Sequence, residues 1–108
     1  MTTHNKAIRD KIPEIIAESG NTCNVKKLSD SEFLVFLEKK LEEETKEYQQ
    51  SKSVEELADI LEVIYRISQL KGTSAERLEE IRQEKIQKRG AFEKNLFLID
   101  TEDQINHK

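Results

Sequence analysis

Three observations predict an all-α fold. Apolar residues recur at helical spacing over two long stretches, Gly and Pro number only three and one, and Ser–Glu pairs with capping-box spacing precede the apolar runs. The expected architecture is an antiparallel helical hairpin plus a third helix, with a short flanking helix and extended segments. The 108 residues form one domain, 1–108, which can bury only part of its unfolded surface. With 35% apolar residues, 37% charged residues and no Trp, a lone chain has a thin core, so an oligomeric helical bundle is expected.

Pro13 forces Ile12 toward an extended conformation and suits the first turn of a short helix, PEIIAES, which Gly20 can end. The following NTCNVKK has no helical period and reads as irregular with a weak strand bias. A long helix begins near Ser29, whose hydroxyl and the carboxylate of Glu32 have capping-box spacing. It carries Leu34, Leu37, Leu41 and Tyr48, with Phe33 beside them, to about Gln50. The polar QQSKS makes a turn. Ser53 with Glu56 repeats the capping pattern, and Leu57, Ile60, Leu61, Ile64 and Ile67 mark a second long stripe ending at Gly72. A third helix starts at Thr73 or Ser74, carries Leu78, Ile81 and Ile86, and stops at Gly90; its outer face is a solvated mixture of charges. AFEKNLFLID is an extended apolar segment expected to pair with 22–27 or to pack across the helices. Residues 101–108 are expected to fray.

A net charge of −4 argues against binding of a nucleic-acid polymer, which calls for a basic face, but admits a nucleotide brought in with a metal ion. Cys23 is alone, so neither an internal disulfide nor a thiolate zinc cluster can form. No apolar run is long enough to span a bilayer, and MTTHNKAIRDK has no apolar h-region. The expectation is an intracellular, cytoplasmic protein with no membrane partner.

Two acidic pairs flank the turn: Glu44 with Glu47, and Glu56 with Asp59, each spaced i, i+3 and so stacked on one helix face. At roughly 100° per residue, Glu44 falls inside the Leu34–Leu37–Leu41–Tyr48 sector and Glu47 on its flank. Glu56 falls between Val63 and Ile67, with Asp59 on the same flank. Glu42 points nearly the opposite way, and Glu43 lies just beyond Glu47. If the turn makes the helices antiparallel, the two flanks meet on one side, at one level. Carboxylates placed so resist ionisation unless cations share the site. Hard oxygen donors without His or Cys suit Mg²⁺, with Mn²⁺ as the alternative, and Mg²⁺ commonly bridges carboxylates to phosphates. The plain alternatives are a solvated Glu-rich face and, for Glu56, a capping role. Two pairs on apolar faces around one turn favour the metal site.

The order EExxE, spacer, ExxD, here Glu43-Glu44-Thr45-Lys46-Glu47 and Glu56-Leu57-Ala58-Asp59, resembles the signature of the MazG-like, all-α nucleoside triphosphate pyrophosphohydrolases. The opening NKAIRDKIPEII and the closing KRGAFEKNLFLI extend the resemblance to a branch termed phosphoribosyl-ATP pyrophosphohydrolase-like, covering about Asn5 to Ile99. The spacer is shorter than in many members, which implies a tight hairpin with less room for a base over the turn. The resemblance implies Mg²⁺-dependent cleavage of a nucleotide substrate between its α and β phosphates, in a homo-oligomer, dimer or tetramer. It makes Glu44, Glu47, Glu56 and Asp59 the metal ligands, and gives Glu43 and Glu44 catalytic roles, Glu43 either in supporting the ligands from behind or in orienting the attacking water. Clearance of a non-canonical nucleotide is the expected function; phosphoribosyl-ATP hydrolysis for histidine synthesis and a non-catalytic interaction module are the alternatives.

Phosphoanhydride cleavage also calls for basic side chains to screen the triphosphate. Lys85, between Leu78 and Ile81 on the wheel, and Arg89, beside Gly90, are candidates, with a snorkelling stem or an ion pair the other reading for Lys85. Lys6, Arg9 and Lys11 in the opening segment are further candidates, with plain surface charge as their alternative. His4 and His107 lack an i, i+4 partner, Cys23 is expected to be a buried or half-buried small residue, and Tyr48 and Tyr65 sit at packing positions.

Overall fold

The computed structural model describes residues 2–102. It is all-helical, with α1 Ile12–Glu18, α2 Asp30–Ser51, α3 Val54–Leu70 and α4 Ala75–Arg89, and no strand among the described residues. The expected residues 103–108 of the frayed tail, His107 included, lie outside that range; Thr101 and Glu102 are exposed and non-helical.

Local chemistry sets each boundary. α1 begins at Ile12, so the residue before Pro13 is helical rather than extended; Pro13 occupies the first turn, and Gly20 leaves the helix at φ +87°, a conformation that side chains with a Cβ rarely adopt. At α2 the Ser29 hydroxyl oxygen accepts the Glu32 N–H at 3.3 Å while its O–H donates to the Glu32 carboxylate at 3.0 Å. The helix closes with Lys52 in the left-handed region, φ +58°, its N–H donating to the Tyr48 carbonyl at 2.7 Å. Only Lys52 and Ser53 separate α2 from α3.

The Ser53 expectation needs correction. Its hydroxyl accepts the N–H of Glu55, at 3.1 Å, and the Glu56 N–H donates to the Ser53 carbonyl at 3.2 Å. Glu56 is therefore not the reciprocal partner of a capping box, and its carboxylate is left for other contacts. At the α3–α4 junction buried Ser68 donates to the Thr73 carbonyl at 2.9 Å, and the Ser68 carbonyl accepts the Thr73 N–H at 2.9 Å. Ser74 caps α4 by accepting the Arg77 N–H at 3.1 Å. The outer face of α4 is laced by Arg77–Glu80 and Arg77–Glu84 pairs at 3.1 and 3.2 Å, and by Arg82–Glu79, as a solvated charged face should be.

α2 packs on α3, and α3 meets α4 more lightly. The buried core is Ala7, Leu37 and Val63, surrounded by Phe33, Phe36, Leu41, Ile67 and Leu70. Two features depart from expectation. Val63 is buried, while Leu57 and Leu61 are 45% and 47% exposed, because the apolar arc of α3 is wider than α2 can cover. Ala7, outside every helix, completes the core: its small side chain lets residues 5–11 lie close against both long helices.

Neither extended segment pairs with the other. Residues 21–27 and 91–100 are exposed throughout and form no strand, so the expected pairing of AFEKNLFLID or its packing across the helices is absent. Cys23 is exposed rather than buried or half-buried. No helix among the described residues is long and apolar enough to cross a membrane.

Candidate metal centre

The last turns of α2 and the first turns of α3 carry the acidic residues, and the two-residue connection holds those turns side by side. Glu44 sits in the leucine stripe and is 7% exposed. One carboxylate oxygen from each of Glu44, Glu56 and Asp59 lies within 4.8 Å of the others. Glu47 is exposed yet near enough to Glu44 and Glu56 for its charge to act on both. Asp59 lies at the outer edge, 42% exposed at its side chain.

Few cations balance this group. Lys40, which no sequence argument singled out, approaches Glu44 Oε1 at 3.6 Å and Glu43 at 3.9 Å. The signal for Lys40 was its i, i+4 spacing to Glu44, which reads as ordinary helix pairing until Glu44 is known to be buried. Arg9 donates from Nη2 to Asp59 Oδ1 at 2.8 Å, and Lys6 reaches Glu43 at 3.5 Å. Both pairs exist because Ala7 pins the intervening backbone in the core.

The inner oxygens have no such help. Glu44 Oε2 and Glu56 Oε2 are buried without a hydrogen-bond partner. Burial, then the Glu47 charge, raises the Glu44 carboxyl above its ordinary value, against the opposing pull of Lys40. Burial and then the charges of Glu47 and Asp59 raise Glu56 likewise. An orphaned carboxylate oxygen in such surroundings is satisfied by a proton or by a cation. The donor set is all oxygen, as a hard divalent ion requires.

Of the other nominated residues, Lys85 is exposed on α4 rather than inside its apolar stripe, and Lys11 is exposed just before α1. Neither is paired with a carboxylate of the cluster among the described residues. Arg89 is exposed in the last turn of α4. Tyr48 is half-buried with the Lys52 ammonium 5.8 Å from its ring centroid, while His4 and Tyr65 are exposed. A trough of about 330 Å³ between α3 and α4 is lined by Leu41, Ile64, Ile67, Leu78 and Ile81, and none of the four carboxylates lines it. No family model, curated protein or solved structure matches the chain.

Proposed function

We propose that the chain is a Mg²⁺-dependent nucleotide pyrophosphohydrolase of the MazG-like kind, hydrolysing a non-canonical nucleoside triphosphate to the monophosphate and pyrophosphate. The observation that carries this reading is the pair of buried, unpartnered oxygens, Glu44 Oε2 and Glu56 Oε2, on facing helices beside Asp59. The EExxE and ExxD motifs support it from the sequence. In this reading α2 and α3 form the antiparallel hairpin, and Glu44, Glu47, Glu56 and Asp59 hold Mg²⁺ or Mn²⁺. When bound, the ion supplies Lewis-acid activation and neutralises triphosphate charge.

The chain's own residues supply the rest. Glu43, half-buried at the rim, accepts a proton from the attacking water and orients it. Arg9 and Lys6, with side chains 55% and 43% exposed, exchange their carboxylate partners for phosphate oxygens at small cost, since exposed pairs contribute at most about 1 kcal/mol. Lys40 stays with Glu44 and limits repulsion among the ligands. Lys11 and Lys85 gain no support from the geometry as phosphate contacts, and Arg89 is carried as one from the sequence alone.

Pyrophosphate release should be assayed with Mg²⁺ and a panel of nucleoside triphosphates that includes phosphoribosyl-ATP, the biosynthetic alternative. Turnover should vanish in Glu44→Ala and in Asp59→Ala. Absence of activity on every substrate, together with absence of metal binding, would remove the proposal.

The Arg9–Asp59 pair favours one second reading, a non-catalytic helical module whose acidic cluster is neutralised by its own N-terminal segment or by a basic partner. Replacing all four carboxylates would then leave melting unchanged or raise it, and the unsubstituted protein would show no turnover on any triphosphate.

A further inference from the structure

The chain leaves far more surface in water than a folded monomer of its mass. A compact 12.6 kDa protein exposes about 6,200 Å², whereas this one exposes 10096 Å². Its radius of gyration is 18.5 Å, against about 13 Å for a compact domain of this length. No large side chain is fully buried among the described residues.

The excess apolar surface is concentrated in two places. One is the outward face of α3, where Leu57, Leu61 and Tyr65 follow one another at four-residue steps and remain 45%, 47% and 39% exposed. The other is the segment after α4. Gly90, at φ +81°, ends the helix; a bend at Phe92 and a turn at Glu93 and Lys94 follow, with Asn95 at φ +54°, leaving Phe92 at 99%, Phe97 at 88% and Leu96, Leu98 and Ile99 also exposed. Five large apolar residues in eight positions are far more than a solvated tail needs, and none of them is buried or half-buried.

We propose that residues 92–99 form an arm that seats on the Leu57–Leu61–Tyr65 face of a second copy of this chain, and that the exchange is reciprocal. A second copy supplies arm and face in equal number, so a two-fold arrangement covers both surfaces of both chains. The area suffices. Each aromatic side chain offers about 150–250 Å² for burial, so the four Phe residues of two arms supply about 600–1,000 Å², and the aliphatic side chains and receiving faces carry the total to the roughly 1,600 Å² of a standard interface.

Sedimentation of the full chain over a range of concentrations should show a species of twice the chain mass, and Phe92→Ser/Phe97→Ser should raise its dissociation constant at least about 100-fold while helical circular dichroism persists. Should that variant unfold, cross-linking settles the contact: in a Cys23→Ser background, chains carrying Leu61→Cys are mixed with differently sized chains carrying Leu96→Cys, Phe97→Cys or Leu98→Cys. A mixed dimer exceeding that formed with Gln83→Cys chains is expected. A monomer at all concentrations, cross-links confined to Leu61→Cys with itself, or closure within one doubly substituted chain would overturn the proposal. Co-sedimentation of monomer with anionic phospholipid vesicles would do the same, assigning the arm to a lipid surface.

Discussion

Glu44 occupies a position that a leucine would fill without penalty, between Leu37 and Leu41 on one side and Tyr48 on the other. Its Oε1 has Lys40, but its Oε2 has nothing. Glu44→Gln removes the buried charge and should raise the stability of the metal-free protein by about 1 kcal/mol in urea unfolding, while removing Mg²⁺ binding. The pH dependence has a definite sign. Glu44 and Glu56 hold their protons above the ordinary carboxylate value when folded, so the native state binds more protons than the unfolded chain between the two values. Metal-free stability from these groups is fully present below the ordinary value and is lost as pH rises through the raised one. Stabilisation by Mg²⁺ should grow over the same window, and paired melts with and without Mg²⁺ would show the opposing slopes. Arg9 acts at the rim. Arg9→Ala should lower kcat/KM about 10-fold or more through lost phosphate contact, yet leave Mg²⁺ affinity equal or higher, because Asp59 is released.

At the scale of elements, the two-residue connection between α2 and α3 does most to create the site. It brings Glu44 and Glu56 within one cluster although twelve positions separate them in sequence. Lys52 achieves this in a left-handed conformation that a side chain with a Cβ resists. Lys52→Gly should therefore add about 0.5–1 kcal/mol to stability, measured by thermal unfolding, without altering metal affinity. The helices and their ends were legible in the sequence because Ser29, Ser53, Ser74 and the three glycines are local signals that act within a turn. The convergence of Glu44, Glu56 and Asp59 was legible too, since wheel phase and a short turn suffice to predict which faces meet; Glu47, expected with them, is not one of the close group. The contact of Lys6 and Arg9 with that cluster was not: it depends on Ala7 filling a gap between Leu37 and Val63, a long-range fit without periodicity. The buried arc of α3 was misjudged for a related reason. Its apolar residues cover more than one neighbour's width, and periodicity does not say which part a single chain covers.

For the molecule as a whole, the core is Ala7, Leu37 and Val63 with a ring of half-buried neighbours. Leu37→Ala should cost about 2–4 kcal/mol, a large share of the stability of so thin a core, and should broaden or abolish cooperative unfolding. The same thinness leaves the two long helices to be held by a few contacts. A divalent ion tying the end of α2 to the start of α3 would stabilise the fold and create the chemistry at once. The measurement that tests this most directly is calorimetric titration of the protein with Mg²⁺ at pH values stepped upward from the ordinary carboxylate range, in two buffers of different ionisation enthalpy. The account predicts saturable binding with proton release from the raised carboxyls, lost in both Glu44→Gln and Glu56→Gln. Absence of binding, or binding unchanged in those two variants, would contradict it.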